Sequence, residues 1–433
     1  MTAYQFWNGL KTIGGNIVEI RTDKARVLCD FGLTVAGQTP EKDGEKSELE
    51  QFVESGSLPA VEGLYNTELF KEVALKSYTE ETLETAIFIS HLHLDHMGGL
   101  RFLPSQTKVY LSHESYKLYN ELININEDRA VDCELIPFDF DQEVEVGDIT
   151  VLPKHSDHDT VGCSAFFIET PELKIIHSGD FRLSGINPER VLKWAEDARE
   201  WQPDVLLIEG TSYSFDENSE KQDRKLLNEL TLKQELEDLI AMNTEALFVI
   251  NPYIRNVERL KTFDDLVKEQ GRTMVWEQAY ANILHVFYPQ DRWTILEEVD
   301  TTSSTESIQA AISLKTIAQQ PGLYVLQNSF KNIHLLELVS KVVYLHSNGE
   351  PLGEYDERFS QLKNFLEIKE FEFLSLGASG HASREDLLRV AKIVNARLTI
   401  PWHTFNPELF CQDLRSKELN AIVPEYETIY QRE

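Results

Sequence analysis

Short apolar stretches broken by polar turns fill the first half of the chain. Residues 16–20 and 25–29 alternate or run apolar on either side of a Thr-Asp-Lys turn, the pattern of a β-hairpin. Strand-like runs follow at 85–90, 108–111, 149–152, 164–168, 174–177 and 205–208. The pattern changes at about residue 219. A helical stretch at 225–242 there begins an alternation with fully apolar runs at 246–250, 273–276 and 322–326. Strand, helix, strand at that spacing predicts a parallel α/β unit. The end of the chain returns to strand and helix, with 371–374, then a helix over 384–395, then a strand at 397–400. No internal repeat or low-complexity linker interrupts the sequence.

Composition narrows the class. The 433 residues are 42% hydrophobic and 26% charged, which suits a globular chain with a sizeable core. No run approaches the length of a membrane span, and the N-terminus has neither a basic start nor an apolar core. A cytoplasmic protein without a membrane partner is expected. The 4 cysteines are scattered without CxxC spacing, so neither a disulfide framework nor a cysteine zinc site is expected. Acidic residues outnumber basic ones 73 to 41, giving a formal charge of −32. That argues against non-specific binding to nucleic acid or anionic membrane, but leaves the field inside a cleft open. The charged runs at 41–50 and 216–220 read as solvated loops and helix starts.

The sharpest chemical signal is an H-x-H-x-D-H run, His91 to His96, followed by Met97-Gly98-Gly99. In an extended stretch, residues two apart project the same way, so His91, His93 and Asp95 converge while Leu92 and Leu94 face the core. His96 faces a second ion. Imidazole and carboxylate donors suit zinc, with manganese or iron as alternatives. Further donors stand at strand ends. These are His158 in a D-H-D turn, with His155 as its rival, Asp180 after Ser178-Gly179, placed to bridge two ions, and His403 past the last strand.

Taken in order, these motifs resemble those of the metallo-β-lactamase fold, as does the early Leu28-Cys-Asp-Phe-Gly32. Three further matches are similar to the β-CASP nucleases, specifically ribonuclease J-like proteins. They are Leu207-Ile-Glu-Gly-Thr211, Ala378-Ser-Gly-His-Ala-Ser383 and Ile400-Pro-Trp-His-Thr404. The resemblance implies an αββα sandwich, residues 1–210 and 376–433, with an inserted parallel α/β domain over 211–375. It gives one ion to His91, His93 and His158 and the other to Asp95, His96 and His403, with Asp180 bridging. Asp30 corresponds to an aspartate that orients the ligand loop. Catalysis is expected from His381, held by Glu209, together with Asp95.

Three departures stand out. The sequence runs 30 residues past His403, so ribonuclease J's further C-terminal domain is expected to be missing; it is acidic for a nuclease; and His177 takes a place where an aromatic is expected, so it reads as structural.

The implied reaction is cleavage of RNA phosphodiester bonds by a water activated between two zinc (or manganese) ions, on a single-stranded RNA substrate. A small-ester, thioester or lactone hydrolase, and a metal-binding scaffold with little activity, are the competing readings. Ser383 followed by Asp386 has the spacing of a capping box, and the amides there, with Ser379, Gly380 and His381, form a candidate phosphate cradle. Arg182, Lys154 and Arg255 are candidate phosphate clamps. A homo-oligomer is compatible with the sequence, which does not choose between exonuclease and endonuclease or between RNA and DNA.

Overall fold

A computed structural model describes residues 1–34, 46–215, 227–297 and 309–431. Three sheets organise it. The first has the order β20-β1-β2-β3-β4-β5-β6, from β1 (Ala3–Asn8), β2 (Ile17–Arg21), β3 (Ala25–Cys29), β4 (Glu84–Phe88), β5 (Lys108–Ser112), β6 (Glu134–Phe138) and β20 (Tyr430–Gln431). The predicted hairpin is β2-β3, antiparallel with Val18 opposite Cys29. From β3 onward the pairing is parallel.

The second sheet has the order β19-β11-β10-β9-β8-β7. Its strands are β7 (Val144–Val146), β8 (Ile149–His155), β9 (Ser164–Glu169), β10 (Lys174–His177), β11 (Val205–Glu209) and β19 (Leu398–Trp402). β19 pairs in parallel with β11 although nearly 190 residues separate them, and so draws Trp402 and His403 beside Glu209.

Alternation along the strands assigns each face. Val27, Cys29 and Phe88 of the first sheet meet Val151, Phe166, Leu207 and Trp402 of the second in one buried layer. The opposite face of the first sheet, through Leu28, Ile87 and Val109, packs on Leu118, Tyr119 and Leu122 of the helix His113–Asn124. The opposite face of the second, through Phe167, Ile176 and Leu206, packs on helices Pro188–Trp201, Arg384–Val394 and Pro407–Ser416. Helix, sheet, sheet, helix is the αββα sandwich expected from the sequence.

The third sheet is wholly parallel, with the order β15-β14-β13-β16-β12-β17-β18. It comprises β12 (Leu247–Pro252), β13 (Thr273–Trp276), β14 (Thr294–Leu296), β15 (Gln309–Ile312), β16 (Tyr324–Gln327), β17 (Val342–Ser347) and β18 (Glu372–Ser375). Both faces are buried, as a parallel sheet requires, by Phe248 and Ile250 on one side and Leu247 and Val249 on the other. The helix expected from residue 225 is described from Glu229 to Met242; residues 225 and 226, the run 216–220 and residues 41–45 lie outside the described residues. Among the described residues no helix is long and apolar enough to cross a membrane.

Candidate metal centre

The histidine-rich run leaves the end of β4, but its extended alternation stops sooner than the sequence suggests. His93 caps the short helix Leu94–Met97, its carbonyl accepting the backbone N–H groups of His96 and Met97 at 2.9 Å each. Leu92 therefore enters the core at 1% exposure while Leu94, expected beside it, stands 56% exposed. The same turn separates the three side chains expected to converge. His91 and His93 face His158, with His91 Nε2 3.1 Å and His158 Nε2 3.3 Å from His93 Nδ1. Asp95 and His96 instead face His403 and Asp180. His403 Nε2 is 3.1 Å from Asp95 Oδ2, and His96 Nε2 is 3.2 Å from Asp180 Oδ2. Asp180 lies between the groups, 3.8 Å from His91 Nε2 and 3.4 Å from His403 Nδ1.

Buried partners fix these rings. Asp30, in the left-handed region at φ 63° after β3, accepts the backbone N–H of Ser90 at 2.7 Å and the Ser90 hydroxyl at 2.9 Å, and lies 2.7 Å from His96 Nδ1. The chain after β3 is pressed against the ligand loop so closely that a Cβ on Gly32 would lie 1.7 Å from the Asp95 carbonyl oxygen. His403 is also left-handed, at φ 54°; its N–H donates to the Gly9 carbonyl at 2.9 Å and its Nδ1 lies 2.7 Å from Thr211 Oγ1. His158 Nδ1 bonds the Gly380 carbonyl.

Both oxygens of Asp180, one oxygen each of Glu209 and Asp159, and Nδ1 of His381 are buried without a hydrogen-bond partner. Leaving carboxylate oxygens so is costly unless a cation meets them. Burial, reinforced by neighbouring imidazoles, holds His91 well below its usual range. Burial also pushes His158 down to about 3. Burial works against charge on Asp95 and Asp180, yet the facing imidazoles keep both carboxyls low. Burial opposes charge at His96 too, but Asp180, Asp30 and Asp95 outweigh it and hold the group well above its usual range, so a cation must displace its proton to bind there. Imidazoles facing buried carboxylates are the donor set a divalent ion takes, and these residues fit one.

Residues 75–245 match the family described as the beta-lactamase superfamily domain. Ribonuclease J of Thermus thermophilus is 23% identical over 73% of this chain and 57% of its own length; the RNase J-like protein of Methanocaldococcus jannaschii is 23% identical over 59% and 56%. Together these matches support a ribonuclease J-like β-CASP protein built on a metallo-β-lactamase domain. A crystal structure of a protein of unknown function from Enterococcus faecalis V583 is 28% identical and covers 99% of both chains with a TM-score of 0.84. The chain spans about half the length of the ribonuclease J relatives it matches.

His381 Nδ1 lies 3.6 Å from Asp180 Oδ2 and 3.8 Å from Glu209 Oε1. Burial opposes charge on this imidazole, but Glu209 and Asp180 outweigh it and push the group up to about 9. His155 is elsewhere, lying flat on Phe140 with ring centroids 4.2 Å apart. His177 is buried between Phe166 and Trp402, its Nδ1 accepting the Gly179 N–H at 3.2 Å.

Two residues escaped the sequence reading. Asp159 Oδ1 is 3.2 Å from His93 Nε2 and 3.3 Å from His158 Nε2, and Thr211 abuts His403. The D-H-D triplet and the Glu-Gly-Thr segment were the available signals.

The candidate phosphate clamps are not free. Arg182 is fully buried against Asp157 and Glu229, Lys154 bonds Asp141 and Asp197, and Arg255 bonds Asp128 and the Leu92 carbonyl. The candidate cradle is also partly spent. The His381 N–H donates to Ser379 Oγ and the Ala382 N–H to the Phe181 carbonyl. Ser383 accepts the Asp386 N–H at 3.1 Å, but the Asp386 carboxylate takes the Ser383 hydroxyl at 2.8 Å, so only half of the expected capping box forms.

Proposed function

We propose that this chain hydrolyses phosphodiester bonds in single-stranded RNA, using two zinc-class ions at the centre described above. One ion is assigned to His91, His93 and His158, and the other to Asp95, His96 and His403, with Asp180 shared. The observation that carries the reading is the pair of donor groups on either side of Asp180. Ions bound there would supply an activated water and polarise a phosphoryl oxygen. The names of the relatives, ribonuclease J and the 30% identical Endoribonuclease YSH1 of Mycosarcoma maydis over 150 residues, support RNA as the substrate.

In this reading His381 protonates the leaving oxygen. Its raised affinity for a proton keeps it charged at neutral pH, and Glu209 holds that charge in place. Residues 211–375 are assigned to an inserted domain that forms the far wall of the substrate cleft. A small-molecule hydrolase has no need of such a wall.

The test pairs substrates with variants. Short RNA with a 5′-monophosphate is incubated beside lactone and thioester substrates, and metal content is measured on each variant. RNA cleavage is expected. His403→Ala should lose one ion; His381→Ala and Glu209→Gln should keep both while turnover falls roughly 10²–10⁴-fold. Thioester or lactone turnover without RNA cleavage would overturn the reading.

A further inference from the structure

Glu229 belongs to none of the motifs and stands at the start of the helix Glu229–Met242 that leads into the third sheet. Its carboxylate is buried between two fully buried guanidinium groups, 2.9 Å from Arg182 Nη1 and 2.7 Å from Arg259 Nη2. Each arginine reaches onward. Arg182 follows Asp180 by two residues; its side chain approaches Asp157 Oδ1 at 3.4 Å and donates to the Ser379 carbonyl at 3.2 Å, and its N–H donates to the Asp157 carbonyl at 2.8 Å. Arg259 donates to the Ala378 carbonyl at 3.3 Å and to Asn348 Oδ1 at 2.7 Å.

Three loops thus meet at one carboxylate: 157–159 with His158, 180–182 with Asp180, and 378–381 with His381. They are also in direct contact, since a Cβ on Gly380 would lie 2.7 Å from Asp159 Oδ2 and 3.1 Å from His158 Cε1. A shift of Arg182 therefore has no slack in which to be absorbed before it reaches the His158 ring.

We propose that Glu229 is a positioning residue for the metal centre: through Arg182 and Arg259 it holds the 157–159 and 378–381 loops in the register that places His158 beside His91 and His93. The inference rests on the two-ion reading of that centre. Arg182 and Arg259 balance Glu229 and Asp157 in charge, so neutralising Glu229 leaves one buried cation uncompensated and frees Arg182 to follow Asp157 alone. The effect is directional. The ion assigned to His91, His93 and His158 loses most, because His158 and the shared Asp180 both stand on loops the network holds; the other ion shares only Asp180 with the network, since His96 and His403 are held by Asp30 and Thr211.

The test measures the affinity of each ion by chelator competition on the full chain, with the absorption spectrum of the cobalt(II)-loaded protein as a readout of ligand geometry. Glu229→Gln should weaken one ion about 10- to 100-fold, the range for residues that orient metal ligands, and alter the cobalt spectrum. The second ion, which shares only Asp180 with the network, should weaken several-fold less than the first, and on RNA kcat should fall with little change in KM. The double variant Glu229→Gln/Arg259→Met removes one buried charge of each sign and serves if the single variant does not fold; the same loss is expected of it. Lys331→Met removes the Lys331–Glu127 pair, whose two side chains contact no ligand-loop residue and leave the Asp128–Arg255 contact in place, and should leave both affinities unchanged. A folded Glu229 variant with both affinities and the spectrum unchanged would overturn the proposal, as would an equal loss in Lys331→Met. Fewer than two ions on the unsubstituted chain would overturn the two-ion reading, and this proposal with it.

Discussion

Replacing Asp30 by asparagine isolates what a single buried carboxylate does for His96. Asparagine tolerates the left-handed φ of 63° at this position, so the substitution leaves the backbone unstrained and changes only the hydrogen-bonding chemistry. Asp30 serves three groups: the Ser90 N–H, the Ser90 hydroxyl and His96 Nδ1. The amide oxygen can keep the Ser90 N–H, and the hydroxyl can turn to accept from the amide nitrogen. His96 has no such remedy. With its proton on Nδ1 it meets a second donor. With the proton moved to Nε2 it gives up the lone pair that faces Asp180 at 3.2 Å.

Losing one hydrogen bond to a charged acceptor costs about 1.5–3 kcal/mol. At about 1.4 kcal/mol per factor of ten, that is roughly a 10- to 150-fold loss of metal affinity, in line with other residues that orient ligands. Zinc affinity of Asp30→Asn measured by competition with a calibrated chelator, beside a far-ultraviolet spectrum to establish folding, reads this directly. A folded variant whose affinity stays within about twofold would refute the argument that Asp30 sets the tautomer of His96.

Two further predictions follow from packing and from titration. Gly32→Ala puts a methyl group against the Asp95 carbonyl, where backbone and not a flexible side chain would have to move; a loss of more than about 4 kcal/mol or of soluble protein is expected, and a melting temperature within about 2 °C of the parent would refute it. Burial, with a smaller push from Arg190, holds His155 down to about 4, against about 6.5 in an unfolded chain. Between those values the unfolded chain binds the proton more readily. The stability is therefore fully present above pH ~6.5 and lost as pH falls through ~4, with a ceiling of ~3 kcal/mol that partial solvent exposure reduces. His155→Phe keeps the stack on Phe140 and should flatten this part of the profile in urea melts at pH 7, 5 and 4; an unchanged slope would count against it.

Local pattern made much of this molecule legible. The β2-β3 hairpin, the parallel third sheet and the H-x-H-x-D-H run all declare themselves within windows of ten or twenty residues. What stayed hidden depends on neighbours far away in sequence. β17 (Val342–Ser347) is apolar enough for a strand, yet its place beside β12 is set by pairing across almost a hundred residues. Leu94 reads as core only while the stretch is taken as extended; the turn into helix at His93 sends it outward. Arg182 looks like a solvated cation or a phosphate ligand because nothing near it in sequence reveals Glu229, 47 positions on. Asp159 is hidden differently, as one of two equivalent aspartates around a histidine.

The four cysteines are all buried and all free, and each lies in a different environment. Cys29 sits in the layer between the first two sheets and Cys133 under the helices outside the first. Cys411 is packed beneath the helices outside the second, and Cys163 donates to the Thr160 carbonyl beside the His158 loop. Burial raises all four thiols, so none presents a ready thiolate to an electrophile in the folded chain. Alkylation must wait for the structure around each sulfur to open, and its rate then counts those openings. Residues 211–375 contain no cysteine, so a thiol reagent applied to the native sequence is blind to that whole segment. The chain thus carries four native clocks for the opening of its αββα sandwich and none within the third sheet.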